Sequence, residues 1–272
     1  IAGFNIEAAS FTLGEESLGV SCVIPIEGLG DVEVSGAYGP GGKWLLHGKY
    51  PGSITIGPVV LNDPNITVTN EYVRANCLGT IVNLDELVEA DLTTTFFYDG
   101  RIESVAVTDI LEIGGFRLGR STVIAGNNNP EREYKVTLDS VVRVPHLFDS
   151  VVKGEIDEHG NYVLQGNATV TLGGFTLSNV TLTVEKGKGL SIRAEDKVLG
   201  NRVVWTGTIE NDGNYSLKAE ASATIAGLSF SNATFTLSDG KGLRFNGKTD
   251  VAGSTVRLQG EVLDAAIVAL RG

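Results

Sequence analysis

From Tyr215 to Ile225 the apolar residues Tyr215, Leu217, Ala219, Ala221, Ala223 and Ile225 occupy alternate positions, with Ser216, Lys218, Glu220 and Ser222 between them. Successive side chains of a strand point to opposite faces, so period two predicts a strand with one face buried and the other in water. Leu243, Phe245 and Gly247, then Val256, Leu258, Gly260 and Val262, continue the alternation, bounded by Gly and Asp-Gly turns of the hairpin type. No segment reads as a substantial helix. The tail Asp264-Ala-Ala-Ile-Val-Ala-Leu270 has helix-forming residues, but Val268 and Leu270 fall over Tyr215 and Leu217, which predicts a strand.

That register comes from a repeat. Thr171-Leu-Gly-Gly-Phe-Thr-Leu-Ser-Asn-Val-Thr-Leu-Thr-Val184 lies over Thr224-Ile-Ala-Gly-Leu-Ser-Phe-Ser-Asn-Ala-Thr-Phe-Thr-Leu237, a displacement of 53 residues without a gap. Fainter copies start at Ile113-Gly-Gly-Phe and Trp44-Leu-Leu-His, and Asn127-Asn-Asn-Pro-Glu-Arg132 reads as a loop insertion. Ile1-Ala-Gly-Phe-Asn-Ile6 matches Ile225-Ala-Gly-Leu-Ser-Phe230, so the register opens in mid-repeat. The expectation is a single repeat domain over 1–272 with about five units, approximately 1–47, 48–100, 101–160, 161–213 and 214–272. Each unit is expected to hold four antiparallel strands, A to D, at 214–225, 228–238, 242–252 and 255–263 in the last unit.

Two features suggest how the strands pack. In strand B, Phe175 and Leu177 have one parity and Val180, Leu182 and Val184 the other, with Ser178-Asn179 at the change; Leu228 and Phe230 against Ala233, Phe235 and Leu237 repeat this, as do Phe4 and Ile6 against Ala9, Phe11 and Leu13. Such a flip implies a bulge or a corner, and a strand passing between sheets favours two packed layers. Small residues recur at two matching positions, Cys22, Cys77, Ser140, Ala194 and Gly247 in one series and Gly36, Thr94, Gly154, Gly207 and Gly260 in the other. Both suggest close approach of sheets. The fold expected is all-β, an elongated two-layer stack, with a five-bladed propeller closed by the C-terminal strand as the alternative.

Composition narrows the function classes. A chain of 272 residues with 42% hydrophobic content can bury a large core, and its 35 glycines show no Gly-X-Y period. No apolar run approaches the ~20 residues of a membrane helix, and no cleavable signal stands at the amino end. Ile1 and the lack of Met suggest that initiator and leader are removed or lie outside this stretch. A net charge of −12 without clustered Lys and Arg disfavours nucleic acid as a partner.

Chemistry-bearing residues are sparse. Cys22 and Cys77 are expected to be buried free thiols or a disulfide between adjacent repeats; no Cys-x-x-Cys or His pair supports a metal. His47, His146 and His159 share no motif, so neither an enzyme nor a cofactor is expected. Turns at Asp99-Gly100, Glu158-His-Gly160 and Glu210-Asn-Asp-Gly213 offer Ca²⁺ ligands, although Asn and Asp there also suit tight turns. Asn65, Asn167, Asn179, Asn214 and Asn232 each begin Asn-x-Ser/Thr, the acceptor motif for glycosylation in secreted proteins, and with the Thr/Ser-rich strands they suggest an extracellular or cell-surface location.

The register leaves strand A missing before Ile1 and supplies an extra one at the tail, so Val268 and Leu270 are expected to form an assembly strand, in cis for a ring or in trans for a fibre. The function expected is a structural repeat protein, a filament subunit or adhesin stalk assembling through edge strands. The alternative is a binding module for lipid or glycan, with Tyr38, Trp44 and Tyr50 as sugar-stacking candidates.

Overall fold

The computed structural model describes residues 9–15, 18–26, 30–81, 88–109, 111–113, 116–127, 134–157, 159–198, 200–225, 227–264 and 267–271. Phe4, Ile6, Glu158 and most of the expected insertion at 127–132 lie outside them. Every regular element among the described residues is a β-strand, and every ladder between them is antiparallel.

The residues divide into two compact units. Unit 1 comprises Ile1–Leu111, Arg120–Leu138 and Glu155–Asn161. Its strands are β1 (Ala9–Leu13), β2 (Leu18–Ile26), β3 (Gly30–Gly39), β4 (Lys43–Lys49), β5 (Ser53–Ile56), β6 (Val59–Asn62), β7 (Asn65–Thr69), β8 (Tyr72–Ile81), β9 (Val88–Phe97) and β10 (Ile102–Thr108). A two-stranded hairpin, β11 (Leu111–Ile113) and β12 (Phe116–Leu118), leads to β13 (Ser121–Asn127). The ladder runs β1-β2-β3-β4-β7-β8-β9-β10-β13, and the β5–β6 hairpin joins it through β8.

Strands β14 (Lys135–Val144) and β15 (Phe148–Ile156) contribute residues to each unit. Unit 2 holds Glu112–Gly119, Asp139–Gly154 and Tyr162–Gly272. Its meander is β16 (Tyr162–Leu172), β17 (Phe175–Glu185), β18 (Gly189–Val198), β19 (Asn201–Ile209), β20 (Tyr215–Ile225), β21 (Leu228–Ser238), β22 (Gly242–Val251), β23 (Ser254–Asp264) and β24 (Ile267–Arg271), each paired with the next.

The expected A, B, C and D strands of the last repeat are thus β20 to β23, and the tail is the strand β24. Counting in that register, β1 is a B strand. In the second repeat A is split into β4 and β5, and B into β6 and β7, where Pro51 and Pro64 withhold ladder donors. Asp63 at φ 45° bridges that break, its N–H donating to Gly52 O at 2.8 Å and its Oδ1 accepting from Gly52 N at 2.8 Å.

The propeller alternative fails on one pairing. Propeller blades are separate sheets, whereas β19, a D strand, pairs with β20, the next A strand, from Trp205↔Ala219 to Ile209↔Tyr215. Repeats therefore merge into a continuous ladder.

The parity flip is a bulge that keeps the strand in its sheet. Ala168 pairs with Val180 and Val170 with Leu177, so Thr169 faces the two residues Ser178 and Asn179, the latter at φ 54°. Leu177 and Val180 are both buried, because the extra residue restores the inward direction after a change of parity. The B–C ladder begins only beyond it, from Thr181↔Arg193. Nearer the tip of β21 the rings of Phe230 and Phe245 meet edge to face at 4.9 Å.

Glycines of both small-residue series make room for neighbouring strands. A Cβ on Gly247 would stand 2.7 Å from the rings of Phe230 and Phe245, so at this position the glycine gives room to two large side chains of the B and C strands. On Gly207 a Cβ would collide with Ser216 O and come 2.8 Å from Leu217 Cα, and Leu217 is its ladder partner. Gly36 meets Leu45 O and Leu46 in the same manner, and Gly154 meets Val163 O and Leu164. Close crossing of paired strands, rather than sheet on sheet, excludes the side chain.

Candidate assembly edges

β1 is the anomaly among the B strands. Phe11 and Leu13 occupy the repeat positions of Phe235 and Leu237, which are 0% exposed, yet they are 58% and 90% exposed themselves. Among the described residues β1 has one ladder partner, β2, with Phe11 opposite Val20 and Leu13 opposite Leu18. In the last repeat the corresponding B strand, β21, is flanked on its other side by the A strand β20, in the register Leu217↔Leu237 and Ala219↔Phe235.

A complementary anomaly stands in unit 2. β24 follows β23 as an A strand follows a D strand, with Leu270 opposite Gly260 as Leu217 is opposite Gly207. Val268 pairs with Val262. Among the described residues β24 is paired through one edge only, and a strand edge without a partner is a template for another strand. Val256 and Leu258 of β23 are half-buried, while Val203 and Trp205, one repeat earlier, are buried. Trp205 is covered in part by Phe235 of the next B strand, ring centroids 6.5 Å apart.

The other candidate residues are dispersed. Asn65, Asn167, Asn179, Asn214 and Asn232 are all exposed, Asn179 at the bulge and Asn214 in a turn where its Nδ2 donates to Asp212. Cys22 and Cys77 are both free thiols, so the disulfide reading is not realised; β2 pairs with β1 and β3, and β8 with β6, β7 and β9. Burial raises the pKa of each thiol above its ordinary value.

The acidic turns serve themselves. In the 97–101, 157–161 and 210–214 turns the first residue's N–H donates to the carbonyl of the fifth, and a glycine at φ 87°, 72° and 89° closes the loop. Asp157 accepts from Asn161 Nδ2, Asn161 N and His159 N, which together hold its carboxyl below the ordinary 3.8. Asp99 is lowered by Arg101 and Asp212 binds Asn214. Among the described residues no group of three or more His, Cys, Asp or Glu side chains could share a metal ion.

Tyr38 and Trp44 pack on each other across β3 and β4 at 4.5 Å and are half-buried. An open depression of about 560 Å³ lies on β21–β23 between Thr236, Arg244, Phe245, Asn246, Gln259 and Glu261, with polar and apolar groups both in its lining. Among the described residues no helix is long and apolar enough to cross a membrane. Comparison with protein-family models, curated proteins and solved structures finds no match.

The sequence pattern singled out Val268 and Leu270 for assembly and placed Phe11 and Leu13 only at the parity change of strand B, because their part as an edge needs their exposure. The signal was present in their match to Phe235 and Leu237.

Proposed function

We propose that this chain is a non-catalytic structural repeat protein that associates with itself through edge strands, as a filament subunit or stalk segment outside the cytoplasm. One observation carries the reading: positions that are core in other repeats, Phe11 and Leu13, lie exposed on a strand that has one ladder partner among the described residues. Isolated apolar side chains on a surface are ordinary, but two on one strand with a single ladder partner among the described residues favour an association site. The five exposed Asn-x-Ser/Thr sites favour the extracellular placement.

Electron microscopy with sedimentation velocity over a concentration series tests it. Fibres or concentration-dependent oligomers are expected, and a monodisperse monomer at all concentrations overturns it. Titration with oligosaccharides examines the glycan alternative at Tyr38 and Trp44, and on the structural reading no saturable binding is expected.

A further inference from the structure

We infer that the self-association runs head to tail between copies of this chain, β24 of one molecule adding to β1 of the next in the A–B register of the repeat. This rests on the edge-strand reading above and specifies its geometry. β20 and β21 supply the template: Leu217↔Leu237 translates to Leu270 opposite Leu13 and Lys218↔Thr236 to Arg271 opposite Thr12. Among the described residues each of the two strands is paired through one edge only, so an antiparallel junction would join the two open edges.

The side chains support the same arrangement. Leu258 takes the position of Trp205, and Phe11 that of Phe235, so docking in this register sets Phe11 of one copy over Leu258 of its neighbour as Phe235 covers Trp205 within one chain. One junction thereby covers Phe11, Leu13, Val256 and Leu258, the exposed and half-buried core positions on two different strands. Because the two patches differ, the contact is heterologous and repeats without closing, which yields a filament when the rotation per copy does not form a ring. A second copy is preferred over an unrelated peptide because a β24 strand already carries the register and residue pattern that β1 requires.

Site-directed crosslinking decides the register. In a Cys22→Ala, Cys77→Ala background, Leu13→Cys and Leu270→Cys in the same chain should give, on mild oxidation, a ladder of covalent oligomers on a non-reducing gel. Leu13→Cys with Ala269→Cys should crosslink much less, since neighbouring residues of a strand face opposite sides. Phe11→Asp should leave the monomer folded by circular dichroism, given the exposure of Phe11, and weaken association by about tenfold or more. Association by sedimentation without the 13–270 crosslink overturns the register while leaving edge assembly standing. A 13–270 crosslink within monomers overturns the head-to-tail arrangement in favour of closure in cis, and no association in the unmutated chain overturns both readings.

Discussion

Gly207 and Leu217 are ladder partners, and so are Gly36 and Leu46, and Gly260 and Leu270. In the repeat that has no glycine at this position the pair is Thr94 and Ser104, both buried and hydrogen-bonded through their hydroxyls at 2.8 Å. A large residue thus faces none, or two small ones face each other, as a close crossing of constant volume requires. Gly207→Thr alone should cost more than the ~1 kcal/mol of an average substitution, because its Cβ meets the backbone of β20. Adding Leu217→Ser should recover part of that loss despite removing a buried leucine, and urea midpoints of the two single variants and the double variant read the coupling. Additivity would remove the volume argument. The thiols offer a second measurement: Cys77, half-buried, should be alkylated in the native protein well before Cys22, which is 4% exposed and needs unfolding.

At the scale of elements, turns and bulges set the register. Asp157 ties its turn with three hydrogen bonds that favour the carboxylate. Its pKa is lower in the folded chain, so the stability it contributes is complete above the unfolded value and is lost as pH falls through the folded one. Asp99, Glu195 and Glu220 are shifted in the same direction, by their Arg101, Arg202 and Lys218 partners. The thermal midpoint should therefore be insensitive to these groups near neutrality and fall below about pH 4. Asp157→Asn should lower the midpoint at neutral pH and flatten the acid limb; an unchanged limb would show the turn to be without energetic consequence. These elements were legible beforehand because alternation and glycine position are local. The mates of Gly207 and Phe230 were not, because they depend on strand coiling.

At the scale of the molecule, repeats joined through D–A pairing make a meander with an edge strand to extend. Removing residues 264–272 takes away β24 and its ladder with β23. The truncated chain should sediment as a monomer where the full chain associates, and should unfold at a lower temperature since β23 becomes an edge. If truncation alters neither assembly nor midpoint, β24 has no architectural part.

Sequence by itself determined the all-β class, the strand boundaries of the last repeat to within a residue or two, an irregularity at Ser178-Asn179 and the strand character of the tail. All follow from interactions between residues near in sequence, and a 53-residue repeat states each of them twice. Only the tertiary structure decided that the bulge keeps its strand in one sheet, that the glycines answer to crossing strands, that the cysteines are free and that Phe11 and Leu13 are uncovered. Those outcomes depend on which surfaces meet. A hydrophobic pattern tells a side chain which way to face, and burial then depends on whether another part of the molecule is there to cover it.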